Sequence, residues 1–322
     1  MNPTPGISVA VTTCNRAHYL RDCLQSICTQ TLLPTEIIVS EDGADSETRQ
    51  VIEQCAQEHR HITIVHIVND PPLGQLANRQ QAITSTSCEY VAMLDDDDIW
   101  YAKFLEVHYR HLLANPSCGF SCSNHSFMNE KGVDQPAEFE RFQAFSGRDQ
   151  LQTAVYNDVF IQTITNKACL FCIIFCLYRR SVLEQVGFFQ SYGGLVPDLA
   201  LMLSLGAHRV NAVYIDRILG SSRMHGGQQS NKRLENSISK VEALQEIRTR
   251  HKTMLTGKEQ KMLRKQLTQA VIECAIAYAH SNRKQQAARL LLQIRGVSAI
   301  PLKRLVVLLA LLMGARKRSR AV

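Results

Sequence analysis

Along the first two thirds of the chain, apolar residues alternate between short unbroken runs and helical spacing. Ile7 to Thr12 (ISVAVT) is a continuous apolar run that fits a buried strand. The following NRAHYLRDCLQSICTQ places Tyr19, Leu20, Cys23, Leu24, Ile27 and Cys28 on one helical face. The same alternation predicts a strand over Glu36 to Glu41, a turn at Asp42-Gly43, a helix from Ser46 to Glu58 and a strand over Ile62 to Val68. After the breaker NDPPLG it predicts a helix from Gln75 to Thr86 and a strand over Glu89 to Leu94. Repeated βα units imply a mainly parallel sheet with helices on both faces. In such sheets ligands bind beyond the carboxyl ends of the strands. Thr12, Asp42 and the run Asp95 to Asp98 all fall at such ends.

Farther on the pattern weakens. Residues Ser117 to Gln162 mix Asn, Gly, Phe and Glu and read as irregular. Order resumes with a strand over Leu170 to Tyr178, a helix in RRSVLEQVGFFQ, a Gly-Gly loop, a helix from Asp198 to Leu205 and the strand RVNAVYID. Beyond Ser230 the chain becomes basic helix, in which Leu263, Leu267, Val271, Cys274 and Tyr278 form one apolar stripe that reads as packing. This divides the chain into residues 1–230 and a basic helical extension, 231–322.

Charge sharpens the division. Residues 231–322 hold 20 Lys and Arg against 5 Asp and Glu, or +15, whereas residues 1–230 hold 16 against 24, or −8. Aromatic residues are not interleaved with the basic ones as stacking platforms for single strands would require, which argues against nucleic acid as a partner. The apolar run Leu305 to Met313, between Lys303, Arg304 and the cluster Arg316 to Arg320, is far too short to span a bilayer. It suits the surface of an anionic membrane, or a helix docked on the domain. The N-terminus lacks a basic region before its apolar stretch, so no secretory signal is expected. With eleven cysteines lying mostly in apolar runs, a reducing cytoplasmic location fits, with the thiols as small core residues. Cys169, Cys172 and Cys176 have metal-like spacing, but a strand would point them to opposite faces and no partner Cys/His pair is evident.

The chemistry concentrates in LDDDDIW, residues 94–100. Four adjacent carboxylates repel one another, and a cation at a strand end would offset that repulsion. Hard cations such as Mn²⁺ and Mg²⁺ take oxygen ligands of this kind. No Gly-x-Gly-x-x-Gly fingerprint, P-loop or Ser/His/Asp spacing competes.

Five stretches, in order, carry a resemblance: ISVAVTTCNRAHYLRDCLQSICTQT, EIIVSEDGADSET, LANRQQAITSTSCEYVAMLDDDDIW, VGFFQSYGGLVPDLALMLSLG and SSRMHGGQQS. Together they resemble the family 2 glycosyltransferases of GT-A fold, over about residues 5–230. The resemblance implies an inverting transfer from a nucleotide-sugar donor to a hydroxyl of a glycan or lipid-linked glycan, with a divalent cation as Lewis acid. It makes the acidic run a DXD motif with Asp97 as metal ligand and Asp95 or Asp96 on the ribose or donor sugar, leaving Asp98 to cap a helix begun by Ile99 and Trp100. Asp42 matches the base-reading aspartate and Thr12 a contact near the base. Cys14 stands where relatives carry an aromatic ring, and Arg79 aligns with a nucleotide-contacting arginine whose usual Asn neighbour is here Gln80. Asp198 matches the catalytic base, and the same residue could also cap its helix. Its usual acidic neighbour is Pro197, and a later family arginine is replaced near Ser204. His225 matches a histidine near the diphosphate and metal, with Arg223 an alternative phosphate contact. The departures at Cys14 and Pro197 leave open a second reading, a GT-A-fold module that binds nucleotide or glycan without catalysis.

Overall fold

The computed structural model describes residues 6–165, 170–189, 194–228 and 232–292. The chain divides into two compact units, one comprising Met1–Ser191 and Pro197–Gly226, the other Tyr192–Val196 and Gly227–Val322.

The first unit is built on one mixed nine-stranded sheet. Strands β1 (Ile7–Thr13), β2 (Glu36–Asp42), β3 (Thr63–Asn69) and β4 (Tyr90–Asp95) pair in parallel in the order β3-β2-β1-β4. Their helical links are α1 (Ala17–Cys28), α2 (Ser46–Glu58) and α3 (Gln75–Thr84). The four expected strands form; β1, β2 and β4 are buried along nearly all their length, where an apolar run satisfies both faces, and β3 stands at the sheet edge, largely exposed or half-buried. Next come β5 (Ile99–Trp100), α4 (Phe104–Ala114), β6 (Cys118–Asn129), α5 (Pro136–Ser146), β7 (Ala154–Tyr156), α6 (Val159–Thr165), β8 (Cys176–Arg179), α7 (Arg180–Val186), α8 (Pro197–Ala207) and β9 (Asn211–Met224). The sheet continues from β4 through β8, β6 and β9 to β5, with β7 also on β9. β8 is antiparallel to both neighbours, and β6 and β9 run parallel.

Three sequence expectations are corrected. The stretch from Leu170 makes a helical turn at Ile173–Phe175 and a strand only over Cys176–Arg179, since β8 pairs with just Tyr90–Ala92 and Phe120–Cys122. The segment read as irregular contains the long strand β6. Several of its polar residues are buried and paired, His108 Nδ1 with Ser121 Oγ at 2.8 Å and Gln143 Nε2 with Asn124 Oδ1 at 2.9 Å, so no apolar period marks the strand. Ile99 and Trp100 do not begin a helix. They pair with Ser221 and Gly220 of β9, and α4 starts only at Phe104. Trp100 stacks on Phe104 at 4.1 Å and donates its indole N–H to Ile174 O at 2.8 Å.

The second unit contains α9 (Arg233–Arg250), α10 (Gly257–His280) and α11 (Lys284–Leu292). α10 opens on a capping box in which Thr256 and Glu259 satisfy each other's backbone N–H groups. Leu263, Leu267, Val271 and Cys274 of the expected stripe are buried. No helix among the described residues is long and apolar enough to cross a membrane. The segment Leu305 to Met313 and Cys169 lie outside the described residues. No disulfide joins any two of the described cysteines.

Candidate functional site

Because β2, β1 and β4 are parallel neighbours, their carboxyl ends lie side by side and Thr12 stands opposite both Ser40 and Asp95. Thr12 Oγ1 donates to Asp95 Oδ1 at 3.2 Å. The buried guanidinium of Arg79, from α3, ion-pairs with the same oxygen. Burial works against the Asp95 charge, yet Arg79, Arg16 and the Thr12 hydroxyl together hold its carboxyl below its ordinary range.

The chain then turns, with Asp98 N donating to Asp95 O at 3.1 Å, and the four acids part. Asp96 points inward and is fully buried against Arg16, whose Nε reaches Asp96 Oδ2 at 3.1 Å. Burial lifts Asp96 to about 7, the pull of Arg16 being partly cancelled by Asp97. Asp97 Oδ2 accepts from Arg16 at 2.8 Å and meets His225 Nε2 at 2.8 Å. Asp98 accepts from Arg223 N at 2.7 Å, which replaces the expected helix-capping role. Burial, then the charges of Asp97 and Asp95, push its carboxyl well above the ordinary range. One carboxylate oxygen each from Asp95, Asp97 and Asp98 lies within 4.8 Å of the others. Crowded oxygen donors that repel one another fit a hard divalent cation.

Around this cluster, Asp42 accepts from Leu73 N at 2.6 Å and Gly74 N at 3.0 Å, which fixes the loop before α3. Gly74 has φ of 87°, a left-handed conformation that glycine adopts freely. Cys14 is exposed beside Asp42, burial and then the Asp42 charge raising its thiol. Asp198 sits in the first turn of α8, after Pro197, and accepts from Ile173 N at 3.1 Å. Its carboxyl is raised by burial, against the pull of the Ile173 N–H and Arg79. Arg79 thus acts on both Asp95 and Asp198. Arg223 is buried and bound by protein groups, its Nε at 2.9 Å from Asp97 O and another guanidinium nitrogen at 3.1 Å from Asp22 Oδ2, over the Tyr19 ring.

The residues matched to the donor and catalytic roles therefore come to one sheet edge: Thr12 and Asp42 in β1 and β2, Cys14 just after β1, Arg79 from α3, Asp95 closing β4 with Asp96 to Asp98 after it, Asp198 on α8 and His225 after β9. Sequence reasoning missed Arg16. The signal was available, a cation directly after a strand end and before a helix start, but nothing in spacing ties residue 16 to residues 96 and 97.

A parallel sheet extended by antiparallel strands, with acids beyond its carboxyl edge, defines a GT-A fold. The family model for glycosyl transferase family 2 matches residues 8–187, and the chain belongs to that family. A provisionally named teichuronic acid biosynthesis glycosyltransferase of Bacillus subtilis, TuaG, is 28% identical over 132 residues, 41% of this chain and 51% of that one. The chain thus spans about half the length of that relative. Among solved structures, the mannosyltransferase PcManGT from Pyrobaculum calidifontis in complex with GDP-Man and Mn²⁺ has TM-score 0.57 at 16% identity, covering 97% of this chain and 86% of that one. The 1–349 fragment of S. aureus TarS in complex with UDP-GlcNAc has TM-score 0.60 at 14% identity, covering 92% and 93%. At these identities the likeness establishes the fold.

Proposed function

We propose that this chain transfers one glycosyl group, with inversion, from a nucleoside-diphosphate sugar to a hydroxyl acceptor. The observation that carries the reading is the convergence of Asp95, Asp97 and Asp98 oxygens within 4.8 Å at the carboxyl edge of β4. Family membership and the complexes of PcManGT with GDP-Man and Mn²⁺ and of TarS with UDP-GlcNAc support it. Asp97, with His225 beside it, would hold a Mn²⁺ or Mg²⁺ ion, with Asp95 and Asp98 completing the donor set. Such an ion supplies countercharge to the departing diphosphate.

The other roles belong to the chain. Asp42, each of whose oxygens already accepts a backbone N–H of the loop before α3, would receive a nucleobase N–H on a remaining lone pair, with Thr12 and Cys14 lining the base. Arg79 would hold Asp95 toward the ribose or donor sugar, while Asp96, turned inward onto Arg16, supports the turn from beneath. Asp198 would take the proton of the attacking hydroxyl. Its raised carboxyl makes it a stronger base than a solvated aspartate, and its hydrogen bond from Ile173 N fixes its orientation. Residues 1–230 would form this transferase domain. The apolar and basic C-terminal segment, residues 301–322 of the extension 231–322, would bring the enzyme to an anionic membrane face, where lipid-linked glycans are presented. A chain truncated before residue 301 that still sediments with anionic vesicles would remove that attachment.

The donor site is tested by calorimetric binding of UDP, GDP and dTDP, with and without Mn²⁺, to wild type and Asp97→Ala. The expected result is Mn²⁺-dependent binding of one nucleotide, lost in the variant. Binding without donor consumption for any acceptor would favour the non-catalytic module, for which Pro197 before Asp198 is the motivating observation. No nucleotide binding at all would overturn the donor assignment.

A further inference from the structure

Helices α1 and α2 bring together three side chains that have no part in the chemistry above. Cys28 closes α1, a helix of 12 residues. It therefore lies about 18 Å along the helix axis from the end that follows Arg16. Cys55 and His59 stand at i and i+4 at the end of α2, an arrangement that puts both on one helix face. The backbone N–H of His59 caps that helix on Cys55 O at 3.0 Å, which fixes the backbone from which the ring projects. Cys28 Sγ and Cys55 Sγ are 3.6 Å apart, and both residues are buried, at 4% and 8% exposure. The potential ligand atoms of Cys28, Cys55 and His59 all lie within 4.8 Å of one another.

That spacing, a thiol–thiol contact as it stands, also suits two ligands of one metal. A tetrahedral zinc ion with Zn–S bonds of about 2.3 Å holds two thiolate sulfurs about 3.8 Å apart. The 3.6 Å observed is close to that edge, and a ring nitrogen of His59 lies within 4.8 Å of both sulfurs. A groove of about 230 Å³, lined in part by Arg21, Gln25, Gln54, Cys55 and Glu58, reaches the Cys55 side of the cluster and gives an ion a path from solvent. The exposed Glu58 carboxylate at its rim favours the approach of a cation.

We propose that Cys28, Cys55 and His59 form a binding site for a soft divalent cation of the zinc class, distinct from the carboxylate cluster. On binding, each thiol releases its proton to solvent and donates a sulfur lone pair, neutral His59 donates a ring nitrogen, and one water molecule fills the fourth corner. The two sites divide cations by hardness, since oxygen donors take Mn²⁺ or Mg²⁺ and thiolates take zinc. Occupancy would tie the end of α1 to the end of α2. Both helices pack beside the strands that end at the carboxylates, so a metal bridge there would stiffen the donor half of the sheet from its far edge.

The test uses the full chain, reduced with a phosphine and stripped of metal, then titrated with Co²⁺ and afterwards Zn²⁺. The expected result is a thiolate-to-cobalt charge-transfer band that saturates at one equivalent and is displaced by Zn²⁺. Carboxylate ligands give no such band, so Mn²⁺-dependent nucleotide binding in the same samples reports the fold and the other site independently. Cys28→Ser and Cys55→Ser should abolish the band. His59→Asn, at a partly exposed position, should weaken Co²⁺ binding by about tenfold or more. A band of equal strength in both serine variants, or no band in folded wild type, would overturn the site. If the serine variants do not fold, unchanged Co²⁺ affinity in His59→Asn overturns it alone.

Discussion

Asp95 to Asp98 place four carboxylates in one turn, and the chain meets that charge with two guanidinium groups from different directions. Arg79 reaches Asp95 from α3, and Arg16 spans Asp96 and Asp97 from the start of α1. Arg16 is the more telling because its side chain is 31% exposed while that of Asp96 is fully buried. Removing it leaves a buried acid without its main counterion. Arg16→Ala is therefore expected to cost roughly 1–3 kcal/mol, discounted for the exposed guanidinium. Urea unfolding in a chelator and in Mn²⁺ checks this, and a divalent cation should recover more stability in the variant than in wild type. Equal gains would mean that Arg16 and the cation do not share the same carboxylates. Asp198 makes the second residue-scale prediction. Its carboxyl is raised by burial, so the acid limb of kcat/KM should fall above the ordinary aspartate range, with activity present above that limb and lost as pH drops through it. Asp198→Asn should lower kcat roughly 10²- to 10⁴-fold with donor binding kept. A variant that turns over normally would assign the residue to helix capping alone.

Among the elements, α8 is the one whose position the chemistry depends on, because it carries Asp198 at its head. Its placement rests on a close crossing with α6 at Gly206. A Cβ there would come within 2.4 Å of Phe160 N and 2.6 Å of Phe160 Cα, both backbone atoms that cannot yield cheaply. Gly206→Ala should destabilise the protein by about 1–3 kcal/mol and shift α8. The expected signature is a lower kcat with nucleotide affinity unchanged, since the donor cluster stands on other elements; weakened nucleotide binding would show a wider disturbance. In the second unit the capping box at the start of α10 predicts a smaller effect. Thr256→Ala should cost about 1 kcal/mol, readable as a shift in the unfolding midpoint. The elements also show where sequence failed. Parallel strands buried on both faces announce themselves as apolar runs, whereas β6 hides Ser121, Asn124 and His125 inside by pairing them with side chains from α4, α5 and beyond. β5 is two residues long and exists because β9 offers an edge beside it, a condition no local pattern records.

At the scale of the whole molecule, stability should depend on acid through two buried histidines. Burial, with a smaller push from His111, lowers His108 from 6.5 to about 3. Burial and then Arg148 hold His125 well below 6.5. Both are neutral in the folded chain, so each contributes stability that is present above 6.5 and lost as pH falls through that value, while the raised carboxyls of Asp96, Asp98 and Asp198 take up protons in the folded state and act in the opposite sense. The histidines add about two protons to the uptake of the unfolded state as they charge, and the net slope is this uptake less that of the folded carboxyls. His108→Asn should remove about one of those two protons in unfolding titrations between pH 6.5 and 4, and an unchanged slope would refute the assignment. By itself the sequence determined the βα alternation, the parallel half of the sheet, the convergence of Thr12, Asp42 and Asp95 to Asp98 on one edge, and the change to basic helix near residue 230. These follow from short-range periods and from a topological rule, so neighbouring residues suffice to state them. Tertiary structure alone decided which of the four acids face one another and which turns inward, that Asp98 serves β9 rather than a helix, and that Arg16 lies across the turn. Side-chain direction within a four-residue turn is set by whatever packs against it, and here those partners arrive from about 80 and 125 positions away in the chain.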